Sequence, residues 1–223
     1  MTKVNVLLDI DGTLMDTSYL HVEAWAQAFE EVGKRLPRAA IHRQVGKGSD
    51  NLIPEFVEVE QAGERVNELH GEFYVKLQER GHPLPGAKEL ISSLAERGHE
   101  VWIATSAQPE ELEHHMKELE AEGKVAGVVS SEEVERSKPA PDVFELALER
   151  AGSQPEEAVV IGDTVWDIEA GKNTGVKVVA VMTGGAFCRA ELEEAGAYAV
   201  YEHCAELLKD PDFPEGVVSG VYI

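Results

Sequence analysis

The chain has 223 residues, with 42 acidic and 20 basic side chains, and its formal net charge is -22. An apolar fraction of 43% is enough for a buried core and argues against disorder. The acidic balance argues against nucleic acid or an anionic membrane as a partner, because both attract clustered Lys and Arg. No run of the sequence approaches the roughly 18 consecutive apolar residues of a membrane span.

The start of the chain predicts a location in the cytoplasm. Met1 to Asn5 lead directly into a short apolar run that ends in a carboxylate. This segment lacks the long apolar stretch and the small-residue cleavage site of a signal peptide. The two cysteines, Cys188 and Cys204, show no disulfide or zinc spacing, and we interpret both as structural residues far from the functional motifs.

Short apolar runs alternate with longer amphipathic segments, which is typical of strand and helix units around a parallel sheet. Glycines at the ends of the amphipathic segments are suitable helix stops. The predicted strands are residues 4–9, 100–105, 158–161 and 177–181, with a weaker strand at 197–201 and a short one at 125–130. The predicted helices between them are residues 87–97, 109–122 and 142–151.

A segment of about 65 residues after the first strand interrupts this alternation. Val22, Trp25 and Phe29 recur there at helical spacing, and no clear buried strand follows them. Two prolines and a glycine at 83–86 mark a stiff point where the chain can re-enter the sheet domain. The predicted organisation is an α/β core of residues 1–15 and 83–223, with an all-α cap domain of residues 16–82 inserted after the first strand.

Four of the nine aspartates lie in two short segments, each of which directly follows a predicted strand in the sequence. Asp9 and Asp11 follow the first strand, and Asp163 and Asp167 follow the strand at 158–161. In open α/β sheets, ligands bind beyond the carboxyl ends of the strands, so these acids converge if the two strands are neighbours. Converging carboxylates repel one another, and a hard divalent cation such as Mg²⁺ relieves that repulsion. The competing interpretations are a hairpin turn after Asp11 and a helix N-terminus that favours an acid at position 167.

Two further loops carry groups that suit an anion. Thr105 and Ser106 lie between a predicted strand and a predicted helix, where hydroxyl and backbone N–H groups bind anions or simply cap the helix. Lys138 precedes two prolines that stiffen its loop, and its charge is suitable for offsetting that of a phosphate. A lone lysine, taken by itself, is more often a solvated surface residue.

Taken together, these motifs resemble those of the haloacid dehalogenase (HAD) superfamily in order and in spacing. The resemblance covers essentially the whole chain and points to the phosphatase branch with a helical cap, closest to phosphoglycolate phosphatases and β-phosphoglucomutases. The motifs are Asp9-Ile10-Asp11-Gly12-Thr13, then Thr105, then Lys138-Pro139, then Gly162-Asp163-Thr164 with Asp167.

The resemblance implies a Rossmann-like parallel sheet flanked by helices, and a Mg²⁺-dependent phosphatase. Its substrate would be a small phosphorylated metabolite, with phosphoglycolate as the first choice and a sugar phosphate as the second. The enzyme would act as a monomer or a homodimer.

Roles for individual residues also follow from the resemblance. Asp9 would be the nucleophile that forms an aspartyl-phosphate, and Asp11 the general acid and then the base. Mg²⁺ would be held by Asp9, the backbone carbonyl of Asp11, and Asp163, while Asp167 would support them. The other residues implied in binding the phosphoryl group or the substrate are Thr105, Lys138, Gly12, Thr13 and Ser106.

The cap is expected to set specificity. His21 and Trp25 are four residues apart and share a helix face near the expected entrance of the site, although Trp25 also fits the core of the cap. Lys47 is flanked by glycines, so it either clasps the anionic end of a substrate or lies on a flexible exposed loop. The mutase relatives carry a lysine and an arginine where this chain has Val45 and Ser49, and this difference favours hydrolysis over mutase chemistry.

Other functions stay open from the sequence. A dehalogenase of the same fold needs neither Asp11 nor the metal-binding acids, and a phosphonate-cleaving relative needs a cap lysine, for which Lys34, Lys47 and Lys76 qualify. A non-enzymatic alternative is a receiver-like phospho-acceptor domain, although the phosphorylated aspartate of receivers lies on their third strand, whereas Asp9 follows the first strand here. The remaining histidines lack ligand spacing and are predicted to be surface or loop residues: His42, His70, His82, His99, His114, His115 and His203.

Overall fold

Six parallel strands form one sheet in the computed structural model, which describes residues 3–220, with the backbone only at residues 109 and 110. The first two residues, used above for the cytoplasmic prediction, lie outside the described part of the chain. The strands are β1 (Asn5–Leu8), β2 (Glu100–Ala104), β3 (Gly127–Val129), β4 (Ala158–Gly162), β5 (Lys177–Val181) and β6 (Ala199–Tyr201), in the spatial order β3-β2-β1-β4-β5-β6.

Eleven α-helices lie within the described residues 3–220, and short 3₁₀ or π turns connect several of them. The helices are α1 (Ser18–Glu31), α2 (Arg38–His42), α3 (Ser49–Leu52), α4 (Glu64–Tyr74), α5 (Ala87–Glu96), α6 (Pro109–Glu118), α7 (Asp142–Ala151), α8 (Val165–Thr174), α9 (Arg189–Ala195), α10 (Cys204–Leu207) and α11 (Glu215–Ser219). The 3₁₀ turns are Ile53–Glu55, Gln78–Arg80, Ser131–Glu133 and Pro155–Glu157, and the π turn is Val59–Gly63.

Apolar side chains cover both faces of the sheet. Val6 and Leu8 of β1 face one layer, formed by α5, α6, α10 and α11, while Leu7 between them faces the layer of α7, α8 and α9. Parallel strands that are buried on both faces form nearly continuous apolar runs, which is why the strands were recognisable in the sequence. The predicted α/β class, a parallel sheet flanked by helices, is confirmed.

The register of β1 places the functional motifs at one edge of the sheet. Leu8 pairs with Ile103 of β2 on one side and with Ile161 of β4 on the other. The backbone N–H of Asp9 still donates to the carbonyl of Ile161, at 3.0 Å. Residues that follow these three strands therefore emerge together at the carboxyl end of the sheet.

Helices α1 to α4 lie between β1 and α5 and have their own apolar cluster. The chain leaves the core and returns to it at adjacent points, because Asp16 N donates to His82 O at 2.9 Å and Leu84 N donates to Leu14 O at 2.8 Å. We propose that residues 16–82 form a cap on the core, and use that name below. Buried members of its cluster are Val22, Trp25, Ala26, Ala28, Phe29, Ile41, Val45, Leu52, Ile53, Val66 and Leu69.

One predicted helix is too long. The helix predicted at 109–122 ends at Glu118, because Glu120 takes up a left-handed conformation (φ 52°). The N–H of Ala121 then donates to the carbonyl of Met116 at 3.0 Å, which closes the helix end. The prediction placed the end of this helix before Gly123, because glycine commonly follows the last turn of a helix. Within residues 3–220, no helix combines the length and the apolar character needed to cross a membrane.

Candidate active site

Three buried aspartates meet at the carboxyl end of the sheet. Asp9 directly follows β1, Asp163 directly follows β4, and Asp167 lies in the first turn of α8. Carboxylate oxygens of the three residues lie within 4.8 Å of one another, and each residue is at most 3% exposed. The structure thus brings together three of the acids selected from the sequence, at the sheet edge where ligands bind in open α/β folds.

Lys138 lies within this carboxylate cluster. Its Nζ atom is 2.6 Å from Asp9 Oδ1 and 2.7 Å from Asp167 Oδ1, and its side chain has no exposed surface. A buried lysine needs such partners, because an unpaired charge in the protein interior is costly. The interpretation of Lys138 as a solvated surface residue is therefore wrong.

The electrostatics of the cluster favour a further cation. Burial raises the pKa of Asp9 to about 7, which Lys138 opposes and Asp167 reinforces. Burial, together with the charges of Asp167 and Asp9, raises the pKa of Asp163 well above its ordinary range. Burial would lower the pKa of Lys138, but the charges of Asp167 and Asp9 raise it, so the ammonium group stays protonated. One ammonium does not neutralise three carboxylates.

The donor set fits a hard divalent cation, since such ions take oxygen ligands. Asp163 Oδ1 accepts a hydrogen bond from Thr13 Oγ1 at 2.9 Å. Its Oδ2 atom lies so close to the backbone that a Cβ atom added at Gly184 would be 1.7 Å away, and one added at Gly12 would be 2.6 Å away. Two glycines and a threonine thus fix this carboxylate in a cluster able to bind a metal ion.

Asp167 has a supporting position. Its Oδ1 atom accepts from Lys138, and its Oδ2 atom accepts from the backbone N–H (3.1 Å) and the hydroxyl (2.6 Å) of Thr164. Thr164 is the N-cap of α8, so this reciprocal arrangement also defines where the helix begins. Because both oxygens have protein partners, Asp167 is suited to orienting Lys138.

Asp11 lies beside the cluster and is held by two residues of the cap. Its Oδ1 atom accepts from Thr17 Oγ1 at 2.6 Å and lies 3.2 Å from His21 Nε2. Burial alone would raise the pKa of Asp11, but the charge and hydrogen bond of His21 bring it below its usual range. Burial would likewise lower the pKa of His21, yet Asp11 raises it. Both shifts favour the ionised form of each partner, an imidazolium beside a carboxylate.

A stack of aromatic rings supports this pair from the cap. His21 Nδ1 lies 3.2 Å from His70 Nε2, and the ring of His21 stacks on Tyr74 with 3.9 Å between centroids. The ring of His70 stacks on Trp25 at 3.7 Å, and the hydroxyl of Tyr74 lies 3.2 Å from His115 Nε2 in the core helix α6. Burial and the charge of His21 lower the pKa of His70 well below its usual range, so His70 is neutral.

The prediction that the remaining histidines lie at the surface or in loops is wrong for several of them. His70, His115 and His42 are buried between cap and core, where His42 Nε2 lies 2.9 Å from the carbonyl of Gly184, and His99 is buried beside Val4. Their contacts join segments far apart in the sequence, which residue spacing does not reveal. Within the described part of the chain, His82 is exposed, and His114 and His203 are half-buried.

A cleft opens between the cap and the carboxyl end of the sheet. Asp9 and Asp11 form part of its floor, and His21, Trp25 and Lys47 reach it from the cap. Lys47 is not on a flexible exposed loop, because its Nζ lies 2.9 Å from Glu55 Oε1 and its side chain is 8% exposed. The other lining residues are Val45, Gly46, Gly48, Ser49, Asn67, His70, Ser106, Ala107, Gln108 and Glu111.

The small hydroxyl residues of the motifs have other partners in this structure. Thr105 Oγ1 accepts from the backbone N–H of Ala107 at 3.1 Å, as a turn residue does. Ser106 Oγ lines the cleft and donates to the carbonyl of Gly46 at 3.2 Å. Thr13 is fully buried and faces Asp163, so its hydroxyl contacts the acidic cluster.

Gly12 lies in the first motif, Asp9 to Thr13, and Cys204 packs against that motif. The carbonyl of Gly12 accepts from Thr183 Oγ1 at 2.6 Å. The prediction that Cys204 lies far from the motifs is wrong, because its buried Sγ atom is 3.7 Å from the carbonyl of Thr13. Burial raises the pKa of this thiol to about 12, which is consistent with a packing role. Cys188 is exposed.

Glu111 also lines the cleft, and the sequence motifs did not predict this position. It is 4% exposed, and its carboxylate forms a second group of potential ligands with Asp11 and His21. Glu111 Oε2 also accepts from the backbone N–H of Gln108 at 3.2 Å, at the start of α6. The Gln-x-x-Glu spacing is that of a helix cap and was the available signal, but it does not distinguish a cap from a cleft residue.

The comparisons with known proteins agree with this geometry. The chain matches the family model of haloacid dehalogenase-like hydrolases over residues 6–181. It is 28% identical over 214 residues to the phosphorylated carbohydrates phosphatase of Thermotoga maritima, covering 92% of this chain and 98% of the relative. It is 31% identical over 182 residues to the pyrophosphatase PpaX of Halalkalibacterium halodurans, covering 79% of this chain and 82% of the relative.

A solved structure of a hydrolase is also similar to this chain in fold and in sequence. A hydrolase from Pseudomonas syringae matches with a TM-score of 0.87 at 33% identity, covering 93% of this chain and 97% of that one. Relatives that are named phosphatases indicate a phosphatase enzyme, which leaves the receiver-like alternative without support. The resemblance inferred from the sequence is confirmed, and the chain belongs to the haloacid dehalogenase-like hydrolase family.

Proposed function

We propose that this chain is a Mg²⁺-dependent phosphatase that hydrolyses the phosphate monoester of a small, hydroxylated, uncharged compound through an aspartyl-phosphate at Asp9. The observation that carries the proposal is the buried cluster of Asp9, Asp163 and Asp167 around the ammonium group of Lys138. A carboxylate attacks a phosphate dianion only where positive charge offsets the repulsion between them.

The metal ion would be held by Asp9, Asp163 and the backbone carbonyl of Asp11. When bound, it supplies positive charge to the carboxylates and to the phosphoryl oxygens. The raised pKa values of Asp9 and Asp163 support this assignment, because both groups gain from a cation at this place. Lys138, whose Nζ is 2.6 Å from Asp9 Oδ1, would offset charge on the phosphoryl group as it transfers.

The reaction has two steps. In the first, a carboxylate oxygen of Asp9 bonds to phosphorus, the bond from phosphorus to the leaving oxygen breaks, and Asp11 gives a proton to that oxygen. In the second, Asp11 takes a proton from water, the water oxygen bonds to phosphorus, and Asp9 is released as a carboxylate together with inorganic phosphate.

The contact between Asp11 and His21 supplies the proton for the first step. The carboxylate of Asp11 raises the pKa of His21, whose Nε2 lies 3.2 Å from Asp11 Oδ1, and so favours a proton on this ring. Transfer along this contact makes Asp11 an acid when a leaving oxygen binds beside it. Thr17 and the ring of Tyr74 keep the two groups in line.

The charges of the cleft favour an uncharged leaving group. Two carboxylates, those of Asp11 and Glu111, surround His21 in the cleft, so this part stays acidic even when the ring is protonated. Glu55 partly neutralises Lys47. Phosphoglycolate, the first choice from the sequence, would bring a second anion next to Glu111, whereas the hydroxyls of a sugar would donate hydrogen bonds to it. The name of the relative from Thermotoga maritima, a phosphorylated carbohydrates phosphatase, supports this choice.

The alternatives of the same fold receive less support. Val45 and Ser49 line the cleft where the mutases carry basic residues. A dehalogenase has no need for Asp163. Lys47 is the cap lysine that reaches the cleft, and its ion pair with Glu55 argues against a Schiff-base role in phosphonate cleavage.

The test is hydrolysis of a panel of phosphate esters by the purified protein, with Mg²⁺ and with EDTA. We expect turnover of sugar phosphates that requires Mg²⁺, and a lower kcat/KM for phosphoglycolate. The Glu111→Gln variant should reduce the difference in kcat/KM between sugar phosphates and phosphoglycolate by about tenfold, because it removes the anion that a substrate carboxylate would face. Turnover that persists in EDTA would contradict the metal assignment, and an unchanged difference would contradict the role of Glu111.

A further inference from the structure

Residues 46–51 of the cap contact three core loops that carry site residues. The carbonyl of Gly46 accepts from Ser106 Oγ, and a Cβ atom added at Gly46 would be 2.9 Å from the side chain of Thr164, which caps α8 at Asp167. A Cβ atom added at Gly48 would be 2.5 Å from that of Ser137. At Gly46 and Gly48 the backbone thus approaches the core more closely than a residue with a side chain would allow.

The closest part of this contact is a group of hydrogen bonds from the cap to the dipeptide Ser137-Lys138. Asp50 accepts from both the backbone N–H (3.1 Å) and the hydroxyl of Ser137. Asn51 Nδ2 lies 3.1 Å from the carbonyl of Ser137 and 3.3 Å from the carbonyl of Lys138. The N–H of Gly48 donates to Ser137 Oγ at 3.0 Å.

These contacts act on the backbone from which Lys138 extends. The core contributes Asn173, whose amide donates to the carbonyl of Pro139 at 3.1 Å, and a local ion pair of Arg136 with Asp142 at 2.7 Å. The N–H of Ala140, also in the core, donates to the carbonyl of Ser137 at 3.0 Å. The cap adds the bonds to the N–H and hydroxyl of Ser137 and to the carbonyl of Lys138. The cap therefore contributes, together with the core, to fixing the backbone from which the Lys138 ammonium reaches Asp9.

We propose that Asp50 and Asn51 are positioning residues for Lys138, so that the cap completes the phosphoryl-binding site by fixing the loop that carries Ser137 and Lys138. This inference rests on the proposed function, because it concerns the rate of phosphoryl transfer. It assigns to the cap a second task, separate from contact with the substrate. Neither residue touches Asp9, so each acts through Lys138.

The test compares Asp50→Ala, Asn51→Ala and Ser137→Ala with the parent enzyme on one substrate at saturating Mg²⁺. We expect kcat to fall by about 10- to 100-fold in Asp50→Ala, because a misplacement of about 1 Å in a catalytic group has an effect of that size. KM should change little, since the lost interaction belongs to the transition state. Ser137→Ala removes the core partner of the same contact and should behave alike.

A cycle with Lys138→Ala shows whether Asp50 acts through the lysine. In the Lys138→Ala background, Asp50→Ala should cause no further fall in the residual rate, measured as product formation in long incubations. A full second loss in the double variant would overturn the proposal. Unchanged kcat in both Asp50→Ala and Ser137→Ala would also overturn it.

Two further variants separate positioning from stability. Glu23→Ala breaks an ion pair with Arg38 within the cap, and it should leave kcat unchanged. Asp50→Asn keeps one acceptor oxygen and should restore part of the rate even if Asp50→Ala folds poorly. Equal losses in Asp50→Asn and Asp50→Ala, with thermal midpoints as in the parent, would contradict the hydrogen-bond argument. A parent enzyme without Mg²⁺-dependent turnover would instead contradict the proposed function.

Discussion

At the scale of single residues, Asp9 has an environment that suits a nucleophile. Its carboxylate is buried, its pKa is raised to about 7, and Lys138 holds one of its oxygens at 2.6 Å. Replacement by asparagine keeps the shape and removes the nucleophilic oxygen. We expect Asp9→Asn to lower turnover by at least about 10⁴-fold, measured by release of inorganic phosphate.

The fold of Asp9→Asn should be intact, because Lys138 keeps its contact with Asp167 at 2.7 Å and the cluster loses a negative charge. A thermal midpoint close to that of the parent would show this. Asp16→Asn is a suitable control, since Asp16 is an exposed aspartate near the same loop and should tolerate the change. Full activity in Asp9→Asn would exclude Asp9 as the nucleophile.

The task that we propose for Asp11 is different, and its variant should separate the two chemical steps. Asp11→Asn keeps a side chain beside His21 and Thr17 but cannot deliver or accept the proton. We expect slow formation of the phosphoenzyme and hydrolysis slowed by about 10²- to 10⁴-fold. Intact-protein mass spectrometry after mixing with p-nitrophenyl phosphate should then detect the phosphorylated chain. Parent-like steady-state turnover, with no phosphoprotein, would rule out this role.

At the scale of elements, the acids at the ends of β1 and β4 would couple the proposed metal binding to stability. In the metal-free protein, burial raises the pKa of Asp9 and of Asp163 above the unfolded value of about 3.9. The protonated forms are favoured in the fold, so this contribution to stability is present below pH about 4 and is lost as the pH rises through about 7 for Asp9. A bound cation needs the ionised forms and reverses this loss.

The consequence is a pH-dependent effect of Mg²⁺ on the thermal midpoint. We expect Mg²⁺ to raise the midpoint by at least about 2–4 °C at pH 8, which corresponds to about 1 kcal/mol for a chain of this size. At pH 5 the rise should be much smaller, because protons compete with the metal. Asp163→Asn should abolish the difference between the two pH values. A shift of equal size at both pH values would contradict the assignment of these carboxylates as ligands.

The elements themselves were largely predictable from the sequence, and the exceptions have physical causes. All six strands coincide with apolar runs, since both faces of a parallel sheet are covered. The end of α6 was misplaced, because Glu120 occupies a conformation that the pattern assigns to glycine. Propensity along the chain indicates where an element lies more reliably than how it ends.

The candidate site was predictable where its residues follow strands and hidden where cap and core helices meet. Asp9 and Asp163 could be placed together because each follows a central strand of a parallel sheet. His70 and Glu111 could not, because they reach the cleft from α4 and α6, whose relative placement is set by tertiary packing. Lys138 is intermediate: the motif selected it, and only the structure shows that it is wholly buried.

At the scale of the whole molecule, the net charge of -22 opposes the approach of an anionic substrate. The Debye length is about 30 Å at 0.01 M salt and about 8 Å at 0.15 M. At low salt a phosphate ester would therefore experience the repulsion of the whole protein surface, whereas at physiological salt the nearby Lys138 and the proposed metal ion would dominate. The buried charges of the site are screened much less than those of the surface.

We therefore expect kcat/KM for a dianionic phosphate ester to rise about threefold or more as KCl increases from 0.01 to 0.15 M at saturating Mg²⁺. The value of kcat should change little, because the bound substrate lies among groups that salt does not reach. Sucrose at matched osmolality is the control, since it changes water activity without screening. A kcat/KM that falls with added KCl would show that the positive groups of the cleft govern the approach even at long range, against the surface charge.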